Sequence, residues 1–262
     1  MKKKLTPEEI YFRIQRHWKD WAKTIKAEKF VVGISGGKDS TVVAYLAAKL
    51  FGPENVIGVL LPCDGQKDIS DSLEVVNNLK IKNFCIDIGN SVHSILNSMD
   101  NNTIDISKDT KINLPCRIRM ATLYAVAQSF NAIVLNTSNL TEDTLGYATL
   151  WGDTCGSYAP IQGLTVTEVI TLGDYLGVPY HLSHKVPVDG LQELTDEEKL
   201  GMTYAEVDNY IRDGIATPEL KDKILKMYWK NYFKIDMIKL PGPKFHDMPN
   251  YVTDIELDVG AD

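Results

Sequence analysis

Four short apolar runs, separated by segments with helical spacing, constrain the fold of this chain more than any other feature. The runs are Phe30–Ile34, Val56–Leu61, Phe84–Ile88 and Ala132–Asn136. The segments between them that have helical character are Thr41–Leu50, Asp68–Leu79 and Arg117–Phe130. Short unbroken apolar runs are typical of strands buried on both faces of a parallel sheet. The alternation therefore predicts an α/β fold with a doubly wound parallel sheet, whose ligand site lies outside the carboxyl ends of the strands.

Helices are predicted at both ends of this core. Thr6 and Glu9 form a capping box, and Pro7 suits the first position of the amphipathic helix that this box opens, which extends to Ala27. Beyond residue 160 the strand pattern fades, and the chain predicts extra C-terminal helices at residues 165–176, 204–211 and 218–230. We interpret the polar stretch 181–202 as a mobile lid loop on a single domain spanning residues 1–262, because the chain after residue 202 is too short for a second core.

Composition excludes several classes of function. The 262 residues carry a net charge of −7, with a sequence pI of about 5.3, so no global field favours nucleic acid or an anionic membrane. The first residues show no secretory pattern, and no apolar run reaches membrane-spanning length. The four cysteines are widely spaced, with no CxxC pair, as in reduced cytosolic proteins. We expect a cytoplasmic protein that binds neither nucleic acid nor membrane.

The segment Ser35-Gly36-Gly37-Lys38-Asp39-Ser40, placed after a predicted strand and before a predicted helix, carries the clearest chemistry. Its glycines and serines let backbone N–H groups surround an anion, and the helix start adds positive potential. The spacing from Gly33 is one residue too short for a GTPase-type P-loop. An aspartate at the mouth of such a loop would repel phosphate unless a cation lay between them. The sequence therefore predicts a phosphate site with Mg²⁺.

This hexapeptide resembles the pyrophosphatase loop of the ATP-pyrophosphatase superfamily. Further segments resemble ammonia-dependent NAD synthetases: residues 58–62, 113–120, 136–142, 146–153, 175–179 and 195–201. The resemblance implies an adenine nucleotide alpha hydrolase-like, Rossmann-like fold. It also implies a homodimeric enzyme that adenylates the nicotinate carboxylate of deamido-NAD with ATP and then amidates it with ammonia, giving NAD, AMP and pyrophosphate. The tRNA thiolases of the superfamily are disfavoured by the acidic charge.

The resemblance also implies roles for individual residues. The residues implied to bind ATP are Gly33, Ile34, Ser35, Gly36, Gly37, Lys38, Asp39, Ser40 and Thr137. Asp39 and Glu142 would hold Mg²⁺ and, with Lys38, form the catalytic group. Arg117, Asp153 and Lys185 would contact the dinucleotide substrate, since an arginine offers a planar fork to phosphate or carboxylate.

Several positions depart from the family pattern, including a His-Lys pair that is missing before Leu240-Pro241. Leu150 and Ser157 stand where a lysine and an aspartate contact deamido-NAD, and Val166 and Val188 where side chains reach the ATP phosphates. Three interpretations remain open: a NAD synthetase with changed contacts, a related adenylating enzyme that acts on another carboxylate or nucleophile, and a nucleotide-binding protein without activity. Cys116 and Cys155 fall near the substrate side, where we expect buried, unreactive thiols rather than catalytic ones.

Overall fold

The computed structural model describes residues 4–66, 69–185, 196–237, 240–245, 248 and 250–252 of the chain. Its centre is a four-stranded parallel sheet in the order β3-β2-β1-β4. The strands are β1 (Phe30–Gly33), β2 (Val56–Leu60), β3 (Lys82–Cys85) and β4 (Ile133–Val134). The chain builds outward from β1 to β3 and then returns to place β4 on the other side of β1. The strand order therefore reverses between β1 and β4, where open α/β sheets bind their ligands.

Helices cover both faces of the sheet, as the predicted doubly wound fold requires. One face carries α1 (Pro7–Ile25), α2 (Lys38–Phe51), α3 (Ile69–Leu79) and α7 (Val166–Leu176); the other carries α4 (Gly89–Asn101) and α5 (Lys108–Ser129). Successive residues of β1 alternate between the two cores, with Val31 facing α5 and its neighbours facing α2. Because each strand is covered twice, its sequence reads as a continuous apolar run.

The remaining helices lie beyond β4; Leu182 of one of them packs in the core beside α2, and the others form a smaller apolar cluster. The remaining helices are α6 (Leu140–Leu145), α8 (Tyr180–Ser183), α9 (Asp196–Leu200), α10 (Tyr204–Asp213) and α11 (Pro218–Met237). Leu145, Val166, Tyr204, Tyr210 and Tyr228 are buried together in this cluster. It packs beside the first turn of α6 and the first residue of α7, so it borders the reversal point of the sheet.

Some sequence-based boundaries were wrong for identifiable reasons. The third apolar run was predicted as a strand over 84–88, whereas β3 lies at Lys82–Cys85. The N–H groups of Ile86 and Ile88 nevertheless donate to the carbonyls of Leu60 and Pro62, so pairing with the β2 segment continues past the strand end. The helix predicted from Arg117 begins at Lys108 and contains Pro115, and α4 was not predicted at all.

Two further expectations concern the periphery of the fold. Within the described residues, no helix combines the length and the apolar character needed to cross a membrane. The ends of the expected lid, 181–183 and 196–200, are helical, whereas residues 186–195, including Val188, lie outside the described residues. The mobile lid therefore stays a prediction.

Candidate active site

The loop after β1 is shaped as an anion cradle. Gly36 has φ +79°, in the left-handed region, and a Cβ there would lie 3.1 Å from the Asp71 Cβ. The hydroxyls of Ser35 and Ser40 are 3.0 Å apart, and the Gly37 N–H donates to the Ser35 hydroxyl over 3.2 Å. Gly37 caps α2 without a side-chain acceptor, so the first N–H groups of this helix remain available for an anion.

The second element of the site follows β4, directly across the reversal point. Asn139 caps α6, and its side-chain carbonyl accepts from the N–H groups of Thr141 and Glu142, both over 3.0 Å. Its amide nitrogen donates to an Asp39 carboxylate oxygen over 3.0 Å. One residue therefore joins the loop after β1 to the helix after β4 and fixes Asp39 relative to Glu142.

Glu142 is held in an electrostatically unusual place. Burial raises its pKa well above the usual range, the Asp39 carboxylate raises this pKa further, and the Lys38 ammonium opposes both effects. One Glu142 oxygen accepts from the Asn139 N–H over 3.2 Å, which completes a capping box. The carboxylates of Asp39 and Glu142 are thus close enough to interact electrostatically, and their like charges favour additional positive charge in the site.

Lys38 supplies the positive charge that this site already contains. Only 4% of its side chain is exposed, and its ammonium lies 3.0 Å from an Asp39 carboxylate oxygen. The same ammonium lies 5.6 Å from the ring centroid of Tyr204, from the start of α10. Lys38 is therefore a buried cation between the loop, its carboxylates and the C-terminal cluster.

The predicted substrate residues are arranged differently. Arg117, on α5, is exposed and donates from Nε to the carbonyl of Leu150 over 3.2 Å. Both carboxylate oxygens of Asp153 accept from the Thr149 N–H, at 3.1 and 3.2 Å, and burial raises the pKa of Asp153. Asp153 therefore organises the 149–153 turn by binding the backbone at its start.

Two of the residues that depart from the family pattern, Leu150 and Ser157, lie in this turn or just after it. We call residues 148–157 the substrate loop. Leu150 orients Arg117 through its backbone carbonyl, and the next residue, Trp151, is 46% exposed with φ +61°. The Ser157 hydroxyl lies 3.5 Å from the Tyr124 hydroxyl, and its N–H donates to the Val134 carbonyl. The loop therefore presents no lysine or aspartate at the positions where the resemblance implies them.

Lys185 lies apart from the other predicted substrate residues. Its ammonium pairs with Asp71 at 2.5 Å, and Asp71 packs against Gly36 of the phosphate loop. The structure therefore places Lys185 beside the nucleotide loop rather than beside the 149–153 turn. Thr137 is half-buried shortly after β4, on the same edge of the sheet.

A small cavity lies behind the substrate loop. Its volume is about 40 Å³, and Asn136, Asp143 and Lys234 are among the residues that line it. The Lys234 ammonium donates to the carbonyls of Gly146 and Ala148, at 2.9 and 3.0 Å. Burial raises the pKa of Asp143 to about 7. Lys234 thus ties α11 to the segment that leads into the substrate loop.

Three residues at the site were not assigned roles from the sequence. Asn139 had a detectable pattern, because Asn-x-x-Glu is a capping box, although nothing in it indicates the bond to Asp39. Tyr204 and Lys234 had no detectable sequence pattern, since they lie far along the chain from the loops that they contact. Cys116 and Cys155 are half-buried, and burial raises the pKa of both thiols, which opposes a nucleophilic role.

A glycine-rich anion loop and two carboxylates, meeting where a parallel sheet reverses its order, define a nucleotide-binding α/β protein. The sequence model of the NAD synthase family matches residues 10–237. The chain belongs to this family.

Individual relatives agree with this assignment. The chain is 42% identical to the NH(3)-dependent NAD(+) synthetase of Thermococcus sibiricus over 197 residues, which are 75% of this chain and 76% of the relative. It is 37% identical to the Carboxydothermus hydrogenoformans protein of the same name, over 82% and 89% of the two chains.

Solved structures similar to this chain include both an NMN synthetase and a NAD synthetase. NMN synthetase from Francisella tularensis superposes with a TM-score of 0.82 and 33% identity, over 91% of this chain and 99% of that one. The NH3-dependent NAD synthetase of Campylobacter jejuni superposes with a TM-score of 0.71 and 26% identity, over 90% and 99%. The predicted fold class is confirmed.

Proposed function

We propose that this chain is an ATP-dependent carbon–nitrogen ligase that amidates the nicotinate carboxylate of deamido-NAD with ammonia, giving NAD, AMP and pyrophosphate. One observation carries the proposal. At the reversal point of the sheet, Asn139 binds both Asp39 of the 35–40 loop and the backbone of Glu142. Relatives that share most of this chain's length include the NH(3)-dependent NAD(+) synthetases of Thermococcus sibiricus and Carboxydothermus hydrogenoformans.

The chemistry has two steps. A carboxylate oxygen of the substrate attacks the α-phosphorus of ATP, and the bond from that phosphorus to the bridging oxygen breaks, releasing pyrophosphate and leaving an acyl-adenylate. Ammonia then attacks the acyl carbon, AMP leaves with the bonding electron pair, and the nitrogen loses a proton. The loop N–H groups at residues 36–40 and the Lys38 ammonium bind the departing phosphates, where negative charge accumulates. Arg117 orients the acyl substrate from α5.

Asp39 and Glu142 would hold Mg²⁺. Their carboxylates fit this ion, because the Asp39 carboxylate disfavours the negative charge of Glu142 and oxygen is the donor that Mg²⁺ prefers. Within the described residues no cluster of three or more acidic, histidine or cysteine side chains surrounds a metal position. This suits an ion that keeps several water and phosphate ligands. Bound there, Mg²⁺ supplies charge stabilisation to the leaving pyrophosphate.

A second candidate substrate is nicotinate mononucleotide, amidated by the same two steps. It is favoured by the departures at Leu150 and Ser157, since both lie at positions implied to contact deamido-NAD. It is also favoured by the similarity to the Francisella tularensis NMN synthetase. A mononucleotide lacks the adenylate half of the dinucleotide, so contacts to that half become dispensable.

We also propose that the protein works as a homodimer in the cytoplasm. The 22 residues of α5 include only two buried ones, Pro115 and Ala127, and Ile104 just before this helix is 50% exposed. A helix that is only partly covered and carries Arg117 is suited to pairing with a second copy. Light scattering of the purified protein tests this, and a monomer at micromolar concentration would contradict it.

The reaction is tested with ATP, Mg²⁺ and ammonium, supplying deamido-NAD or nicotinate mononucleotide separately and then in competition. AMP and pyrophosphate are quantified, and products are identified by mass. Formation of NAD with the higher kcat/KM supports the first proposal, and preferential formation of NMN supports the second. ATP binding without either amide would reject both and leave another carboxylate or nucleophile to be sought.

A further inference from the structure

The geometry points to Tyr204 as the residue that positions the Lys38 ammonium for nucleotide phosphate. Tyr204 lies 166 positions after Lys38 and reaches the site from the start of α10, as part of the C-terminal cluster. This inference rests on the proposed function of the 35–40 loop as the ATP phosphate site. It assigns Tyr204 a positioning role, acting through Lys38.

The Lys38 ammonium lies in an unusually dry environment. Lys38 follows the glycines of the anion loop and opens α2, yet only 4% of its side chain is exposed. A buried ammonium must be stabilised by nearby groups, because desolvation of a charge is costly. The Asp39 carboxylate and the face of the Tyr204 ring are two such groups.

These two groups are not equally available to stabilise the Lys38 ammonium during the reaction. In the proposed reaction Asp39 and Glu142 share Mg²⁺, so the Asp39 carboxylate is no longer available only to Lys38. A ring face offers an electrostatic contact that is strongest when water is excluded, and Tyr204 is 3% exposed. The Tyr204 ring therefore holds the Lys38 ammonium near the loop while the Asp39 carboxylate binds the metal.

Tyr204 is itself firmly held. Its N–H donates to a Glu197 carboxylate oxygen over 2.8 Å, and its ring belongs to the buried cluster that includes Val166 and Val207. The next turn of α10 carries Asp208, which accepts from the Thr141 hydroxyl beside Glu142 over 2.6 Å. The ring is thus fixed relative to both the loop and the carboxylates.

The test is equilibrium binding of Mg²⁺-ATP by calorimetry, on the full chain without acyl substrate. Tyr204→Leu keeps an apolar side chain and removes the ring, and we expect affinity to fall about tenfold, as for a desolvated cation–π contact. Tyr204→Phe keeps the ring and should stay within about twofold of the original affinity. Tyr210→Leu is the matched control, because Tyr210 is buried in the same helix and cluster but lies outside the Lys38 contact.

A double-mutant cycle completes the test. Lys38→Met alone should weaken ATP binding, and adding Tyr204→Leu to it should cause no further loss, since the ring then has no ammonium to hold. The inference is overturned if Tyr204→Leu binds ATP normally, if Tyr210→Leu weakens binding equally, or if the two losses are additive. Absence of ATP binding by the unmodified chain would instead reject the proposed function.

Discussion

Around the 35–40 loop, polar groups are buried and bonded to one another, whereas around residues 148–157 they bond mainly to backbone or lie near solvent. We call the first region, residues 33–40 with 136–142, the nucleotide half, and the second, Arg117 with 148–157, the substrate half. In the nucleotide half Asn139 bridges Asp39 and the start of α6. In the substrate half Arg117 is exposed and reaches only a carbonyl in the described contacts.

This contrast indicates where a family can change its substrate. A buried network cannot lose one member without leaving its partners unsatisfied, so its residues are constrained together. An exposed loop can exchange a side chain at little cost in stability. Leu150 and Ser157 fall in the substrate half, whereas Val166, the departure that borders the nucleotide half, is 5% exposed and packs in the apolar cluster.

The largest effect should come from disrupting the nucleotide half itself. Asp39→Asn removes a charge that the proposed Mg²⁺ site requires, and we expect pyrophosphate release to fall at least about 10³-fold. Steady-state release assays measure this, with Asp222→Asn as the control on an exposed pair of α11. A loss below tenfold would mean that Asp39 does not support the reaction.

The next effect concerns the packing that holds this half in place. The buried Asp208 carboxylate accepts from the Thr141 hydroxyl and from the N–H and hydroxyl of Thr167. Asp208→Ala leaves three donors unsatisfied and should lower the free energy of unfolding by about 3 kcal/mol. Urea denaturation tests it, with exposed Asp100→Ala as the control. An unchanged midpoint would show that water replaces the lost acceptor.

In the substrate half, Arg117→Ala should lower the kcat/KM for the acyl substrate about thirtyfold, as expected for loss of a charge-assisted contact. The KM for ATP and the melting temperature should stay unchanged, because Arg117 is exposed. Arg16→Ala, an exposed arginine of α1, is the matched control. An equal rise in the KM for ATP would argue that the two halves are not separable.

A smaller shift is expected when the departures are reversed. Leu150→Lys combined with Ser157→Asp should raise the kcat/KM for deamido-NAD, relative to nicotinate mononucleotide, about fivefold, since exposed charged contacts are weak. ATP affinity should not move. Ile215→Lys adds a charge at an exposed apolar position elsewhere and should leave the ratio unchanged. No change with the double variant would remove these positions from substrate choice.

The smallest effect lies outside both halves. Nδ1 of His17 lies 2.9 Å from the Tyr158 hydroxyl, and burial lowers the pKa of His17 below its ordinary 6.5. The unfolded chain therefore binds the proton first, so the contribution of His17 to stability is lost as the pH falls below about 6.5. His17→Gln should flatten this dependence by about 1 kcal/mol or less between pH 7 and 5. Thermal melts of both proteins over this pH range measure the slope, and an identical slope in His17→Gln would contradict the prediction.

Prediction from sequence worked best where the pattern is local. The capping boxes at Thr6 and Thr165 placed the starts of α1 and α7 correctly, because cap and helix lie within four residues. The start of α5 was misplaced because an interior proline usually marks a helix boundary, whereas Pro115 is buried within this helix. The polar sequence of α4 gave too few apolar positions to indicate a helix.

The parallel α/β class and the anion loop could be read from the sequence, since both depend on periodicity and on residues adjacent in the chain. The resemblance to the family also placed Asp39 and Glu142 as the candidate carboxylates. Three contacts became visible only in the folded chain: Asn139 joins the two carboxylates, Lys185 pairs with Asp71 beside the loop, and Tyr204 lies over Lys38. These contacts join residues about 100 or more positions apart, and such pairings arise from how the helices pack on the sheet rather than from any local pattern.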